Sequence, residues 1–194
     1  GVEVCEDLWV TIPPSSYLTL LGANIIGNLS ASNELVSKHD YRVDLISNQS
    51  ARCLCSYIYS SAGVHESTTD LLFSGHLLIA ENGGVLKENE RFNRENEVIT
   101  SCVDIFKLNS ERLKNLSFRN ASLLVPFKAK HINFIFKNTS LKEFDRYVDK
   151  HPFVPSNAKL REERCKEIFN IQSSALAKRF EHTKLNKAVI GISG

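Results

Sequence analysis

The 194-residue sequence contains no methionine. It also lacks any apolar run near the roughly 20 residues a helix needs to cross a bilayer. Neither sign of charge prevails: 24 Lys and Arg stand against 22 Asp and Glu, for a net charge of +2. Such balance gives no reason to expect a nucleic-acid or membrane partner. The five cysteines (Cys5, Cys53, Cys55, Cys102 and Cys165) are odd in number and show neither a disulfide framework nor a zinc spacing. The six histidines show no metal-ligand spacing, so no metal is expected. Free thiols of a cytoplasmic protein are the simpler reading; N-x-S triplets such as Asn28 to Ser30 arise often by chance. No internal repeat or low-complexity tract is present. The missing methionine, with a strand-like opening and another apolar run just before the end, predicts an internal piece of a longer chain.

What is present reads first as alternation. The 42% hydrophobic content suffices for one sizeable core, or one core and the start of another. Gly1 to Val4 predicts a short buried strand. Pro13 and Pro14 break the chain, Ser15 or Ser16 is expected to cap a helix, and Gly22 to stop it. Ala23 to Leu29 predicts a second strand running into the polar loop NLSASNE. Ser37 with Asp40 resembles a capping box ahead of a helix through YRVDLISNQSARC. Leu54 to Ser60 predicts a third strand, with Cys53 and Cys55 on one face in the core. Strand–helix–strand–helix–strand is the pattern of crossovers in a layered sheet.

The remainder changes style. In LLFSGHLLIAENGGVLKENE two extended runs flank Asn82, Gly83 and Gly84, which predicts a tight hairpin. Val98 to Phe106 predicts a further extended run. KHINFIFK, from Lys130 to Lys137, alternates apolar and polar residues and reads as a strand; without a wider basic patch, its aromatics and lysines do not signal a single-strand nucleic-acid surface. HPFVPSN reads as a linker. Ser156 or Asn157 is expected to cap a long helix with Cys165, Ile168, Phe169, Leu176 and Phe180 at helical spacing. A turn at Lys184 to Lys187 then leads to a buried strand, AVIGI.

One thiol raises a chemical question. Cys5 ends the first strand and is followed directly by Glu6 and Asp7. Adjacent carboxylates disfavour a thiolate and raise a thiol from its usual value of about 8.5. A nucleophile here therefore needs a cation and a base from elsewhere, and no such pair stands at a fixed spacing. A buried structural cysteine is the competing reading. His65 and Glu66 are adjacent, so in extended chain they point apart, and a structural role is favoured. Lys38 falls in the first turn of its helix, where a cation opposes the helix dipole, which suits a ligand carboxylate or a solvated surface lysine.

GVEVCEDLW, NLSASNE, QSARC, ESTTDLLFSG and HLLIAENGGVL in combination resemble the nitrilase-like glutaminase domain of glutamine-dependent NAD synthetases, over residues 1 to about 120. VIGISG looks like the start of the pyrophosphatase-loop motif of ATP-using synthetases. PFVPSN and REERCKEIFNIQ look like the opening of that second domain. The resemblance implies an α+β fold. Residues 1–125 would be the C-terminal part of a nitrilase-like αββα sandwich and 126–155 a linker. Residues 156–194 would start an α/β synthetase domain of the adenine nucleotide α-hydrolase type.

The resemblance further implies that Cys5 is the nucleophile and that its Glu and Lys partners come from upstream sequence. Glu6, Ser32 and Lys38 would contact glutamine. Lys38 stands where relatives often carry Arg, and Lys lacks the bidentate fork. Glu66, Ser67 and Asp70 would lie in a structural loop near the glutaminase site. Gly191, Ile192, Ser193 and Gly194 would begin an ATP-phosphate turn, with ATP and Mg2+ as cofactors and the metal-binding acid outside this chain. The implied activity is glutamine amide hydrolysis feeding ammonia to ATP-dependent amidation of nicotinate adenine dinucleotide, in a cytoplasmic homo-oligomer. The chain alone is expected to be inactive, since the partners of Cys5 are missing. A stand-alone carbon–nitrogen hydrolase and a non-catalytic domain of the same fold stay open.

Overall fold

Alternating strand and helix over the first sixty residues builds the parallel half of a five-stranded sheet. The computed structural model describes residues 1–126, 128–135, 143–152 and 154–192. The chain divides into two units, Gly1–Arg146 and Tyr147–Gly194. In the first, β1 (Val2–Val4), β2 (Ile25–Ser30) and β3 (Ser56–Ser61) are parallel, while β4 (Leu77–Glu81) and β5 (Gly84–Glu88) continue the sheet antiparallel in the order β1-β2-β3-β4-β5. The crossovers are α1 (Pro14–Leu20) and α2 (Lys38–Arg52).

The predicted alternation is what forms, and its details differ for local reasons. No serine caps α1; Pro14 starts it, its fixed φ suiting the first helical turn. Ser37 is left-handed and makes no capping bond, so the expected capping box is absent at α2. Cys53 ends α2 rather than joining a strand, and a left-handed Leu54 turns the chain toward β3; both thiols are nevertheless buried in the core. The hairpin is tight as expected, with Asn82 and Gly83 both at positive φ. Val98 to Phe106 forms no strand. There the Asp104 carboxylate accepts from the Lys107 amide at 2.8 Å and starts α3 (Ile105–Lys114), so an N-cap overrides the β-branched neighbours. A short α4 (Leu116–Ser122) follows.

One face of the sheet is covered. Ile26, Tyr57, Tyr59, Leu78 and Ala80 pack with Leu8 and with Ile46 of α2 to form the core. Gln49 of α2 donates to the hydroxyls of Ser15 and Ser16 on α1, tying the two crossovers together. Arg112 of α3 donates to the carbonyls of Ala23, Cys53 and Leu54, closing the lower end. The opposite face exposes Val2, Val4, Ile25, Leu29 and Ile58.

The edge strand β1 has a single inward residue, and it is charged. Glu3 is 2% exposed. Its carboxylate accepts from the Ser15 amide at 2.7 Å and from the Tyr57 hydroxyl. The Tyr57 oxygen accepts in turn from Asn28, whose carbonyl oxygen accepts from Ser30. Burial and then the Glu3 carboxylate push the Tyr57 phenol far up, so it stays a donor.

In the second unit, α5 (Ala158–Thr183) is capped by the Asn157 side chain, as expected, and ends at a left-handed Lys184. Ile168, Phe169 and Leu176 are exposed. AVIGI forms no strand: residues 188–192 have no ladder among the described residues, and Val189, Ile190 and Ile192 are exposed. A strand exists only with a partner to pair with. Residues 130–135 of the expected KHINFIFK strand carry no regular structure, and 136 and 137 lie outside the described residues.

Glu3→Ala removes the acceptor for two buried donors and should cost about 2–4 kcal/mol, measured by urea unfolding. Val2→Thr, on the exposed face of the same strand, should stay within about 0.5 kcal/mol.

Candidate active site

The chain leaves β1 through a left-handed residue, and that residue is Cys5, at φ 46°. A non-glycine residue there costs on the order of 1–3 kcal/mol and needs support from its surroundings. Asp7 supplies it. Its carboxylate reaches back to accept from the Val4 amide at 2.8 Å, across the 3-10 turn Cys5–Leu8. Leu8, fully buried, anchors the far end of the turn. One of the two acids beside the thiol is thus a fastening, while Glu6 is exposed.

Cys5 opens onto a cleft of about 450 Å³ at the carboxyl ends of the parallel strands. Leu29 and Ser30 from β2, Ser60 and Ser61 from β3, and Glu66 from the following loop share it. The carboxyl edge of parallel strands is where open α/β sheets bind ligands. Glu66 is held by its own loop, its carboxylate accepting from the Gly63 amide at 2.8 Å. Ser67 and Thr68 fasten the same loop by accepting from the Phe73 and Leu71 amides. His65 turns to the Arg94 carbonyl, so the adjacent His65 and Glu66 do not cooperate.

Cys5 and Glu6 lie near enough to Lys38 to act on its ammonium electrostatically. Burial and the nearby Arg42 lower its pKa, while Glu34, Cys5 and Glu6 act the other way. Its ammonium donates to the Asn33 carbonyl at 2.7 Å and side chain at 3.1 Å and lies 5.3 Å from the centre of the Trp9 ring. Trp9 stacks on Tyr41 of α2. Ser32 is buried in the loop after β2. Lys38 is thus electrostatically linked to Cys5 and Glu6, while its direct contacts are Asn33 and Trp9.

The loop carrying Ser32 is fixed by a buried ion pair that the sequence did not single out. Arg42 is fully buried, and its guanidinium pairs with Glu34 at 2.5 Å. Glu34 also accepts from Ser74 at 2.6 Å and from Arg91 at 3.2 Å, and its amide donates to the Leu72 carbonyl at 2.7 Å. Burial opposes ionisation of Glu34. The Ser74 hydrogen bond and the charges of Arg42 and Arg91 outweigh it, and its carboxyl titrates below the ordinary value. The only sequence signal was Arg42 itself, a charge on the helix face otherwise marked by Leu45, Ile46 and Gln49.

Of the residues expected to hold ATP, Gly191 and Ile192 lie in irregular, exposed chain in the second unit, and Ser193 and Gly194 lie outside the described residues. They belong to a different unit from the thiol.

No protein-family model matches the chain. Curated proteins do. The glutamine-dependent NAD(+) synthetase of Mycobacterium leprae is 39% identical over 202 aligned residues, covering 100% of this chain and 29% of that protein. That of Mycobacterium tuberculosis is 37% identical, with the same coverage of each. The Saccharomyces cerevisiae protein of this name is 31% identical over 69% of the chain and 19% of its own length. Among solved structures, a glutamine-dependent NAD(+) synthetase from Cytophaga hutchinsonii is 31% identical, covers 50% of this chain and 15% of its own, and has a TM-score of 0.42. The chain spans less than a third of the curated relatives it matches.

Because Glu34 is held below its usual pKa, its stabilising contribution is complete above that value and disappears as the pH falls through the lower folded value. Glu34→Gln should flatten this acid slope in a stability–pH series. It should also cost about 3–5 kcal/mol at neutral pH, since Arg42 is left buried without a counter-charge.

Proposed function

We propose, for a chain that along its whole length is a relative of the glutamine-dependent NAD(+) synthetases, that Cys5 is the nucleophile of glutamine amide hydrolysis. The observation that carries this reading is the thiol's placement. It sits on a supported left-handed turn, at the carboxyl edge of parallel strands, facing a cleft and within reach of the Lys38 charge.

In the proposed reaction the Cys5 sulfur attacks the side-chain amide carbon of glutamine. The carbon–nitrogen bond breaks, ammonia leaves with the proton it gains, and a thioester remains. Water then attacks the thioester carbon and releases glutamate, returning the thiol. A Glu base and a Lys cation from sequence outside this chain would complete the set, moving the proton and holding the developing oxyanion. Glu6 and Ser32 would meet the substrate, and Lys38 its carboxylate. Because Asn33 and Trp9 already hold the Lys38 ammonium, it would act as a positioned point charge rather than a fork.

Ammonia would then pass to a second site. There ATP adenylates the nicotinate carboxylate of nicotinate adenine dinucleotide, and ammonia displaces AMP to give NAD. Residues 156–194 would open that synthetase domain, with Gly191 to Gly194 at its ATP-phosphate turn, and residues 126–155 would link it to 1–125. Mg2+, accompanying ATP, would neutralise phosphate charge through acids that this chain does not supply. The exposed aliphatic face of the sheet supports an αββα sandwich, in which a second sheet would cover Val2, Val4, Ile25, Leu29 and Ile58. The assembled enzyme would be a cytoplasmic homo-oligomer.

In the assembled enzyme, Cys5→Ala should lower glutamine-supported NAD formation by about a thousandfold or more, while formation from ammonium salts persists. Equal loss of both activities, or survival of the glutamine-supported one, would contradict the assignment.

A further inference from the structure

Three side chains that are far apart in sequence meet beside the Glu34–Arg42 pair. His39 lies in the first turn of α2, His76 directly precedes β4, and Glu88 ends β5. One oxygen of Glu88 is 2.6 Å from His39 Nε2 and 2.9 Å from His76 Nε2. All three donor atoms lie within 4.8 Å of one another. The imidazole centroids are 5.2 Å apart. Separations of 49 and 12 residues from Glu88 carry no motif, which is why the sequence showed no metal-ligand pattern.

We propose that His39, His76 and Glu88 form a divalent transition-metal site of the zinc class, bound through both Nε2 atoms and one Glu88 carboxylate oxygen. Two imidazoles and a carboxylate suit zinc, cobalt or nickel, with the remaining coordination position open to water.

Further observations support a ligand here. The other ring nitrogen of His39 is 2.8 Å from the Asp40 carboxylate, the arrangement that orients a metal-binding imidazole and presents its far nitrogen to the ion. His76 is fully buried and presents its Nε2 to Glu88. Arg42 would repel a cation, but Glu34 neutralises it at 2.5 Å, and Asp40 and Glu88 add two negative charges.

The ion would pin the first turn of α2, and with it Lys38, to the β4–β5 hairpin.

The test is a zinc titration of the chelator-stripped protein against a chromophoric competitor, with a parallel cobalt spectrum. One zinc per chain is expected. His39→Ala and Glu88→Gln should each weaken binding at least tenfold while circular dichroism is unchanged. Cobalt should give a visible d–d band without the near-ultraviolet absorption of thiolate ligands. Absence of binding, indifference to both substitutions, or a thiolate band that places the metal on cysteines would overturn the site.

Discussion

The location of the Cys5 sulfur depends on one buried carboxylate. β1 is three residues long, lies at the sheet edge, and turns two of them to the exposed face. Its attachment on the covered side rests on Glu3, which joins the start of α1 through Ser15 and the third strand through Tyr57. Because Tyr57 also meets Asn28 of β2, a single charge and its hydrogen bonds bring four elements together beneath the thiol. An apolar side chain at Glu3 would pack there but could not fix direction, and it would leave two buried donors unpaired.

A buried ion pair does the corresponding work for the loop after β2. Glu34 carries the loop after β2, Arg42 belongs to α2, and Ser74 and Arg91 come from later loops. Both devices use a buried charge to fix position, and removing either carboxylate leaves its buried partners unpaired. The left-handed turn at Cys5 belongs to the same economy: Asp7 holds it in place. Leu54 shares the same φ in the connection between α2 and β3, so backbone strain alone does not mark chemistry; what sets Cys5 apart is the cleft it faces.

Elements whose signals are local were legible in the sequence. The crossover alternation, the Asn82-Gly83 turn and the Asn157 cap each follow from residue chemistry acting within a few positions. Failures came where two local signals competed or where a partner was needed. At Val98 to Phe106, the capping carboxylate of Asp104 defeated strand-forming neighbours. At residues 188–192, an apolar run met no neighbouring strand among the described residues. The thiol was visible from CED, yet the roles of its two acids were not, because Asp7 acts on the backbone behind it. Glu34, Arg42 and the His39–His76–Glu88 group were hidden, since only tertiary contact brings them together.

The central claim is that Cys5 is selected by geometry and not by exposure. Cys165, on the surface of α5, is the more accessible thiol. Peptide mapping of the assembled enzyme after treatment with diazo-oxo-norleucine, a glutamine-shaped electrophile, separates the two. The account predicts an adduct on the Cys5 peptide that excess glutamine suppresses, with Cys165 spared. Modification of Cys165, or of no cysteine while glutamine is still hydrolysed, would contradict it.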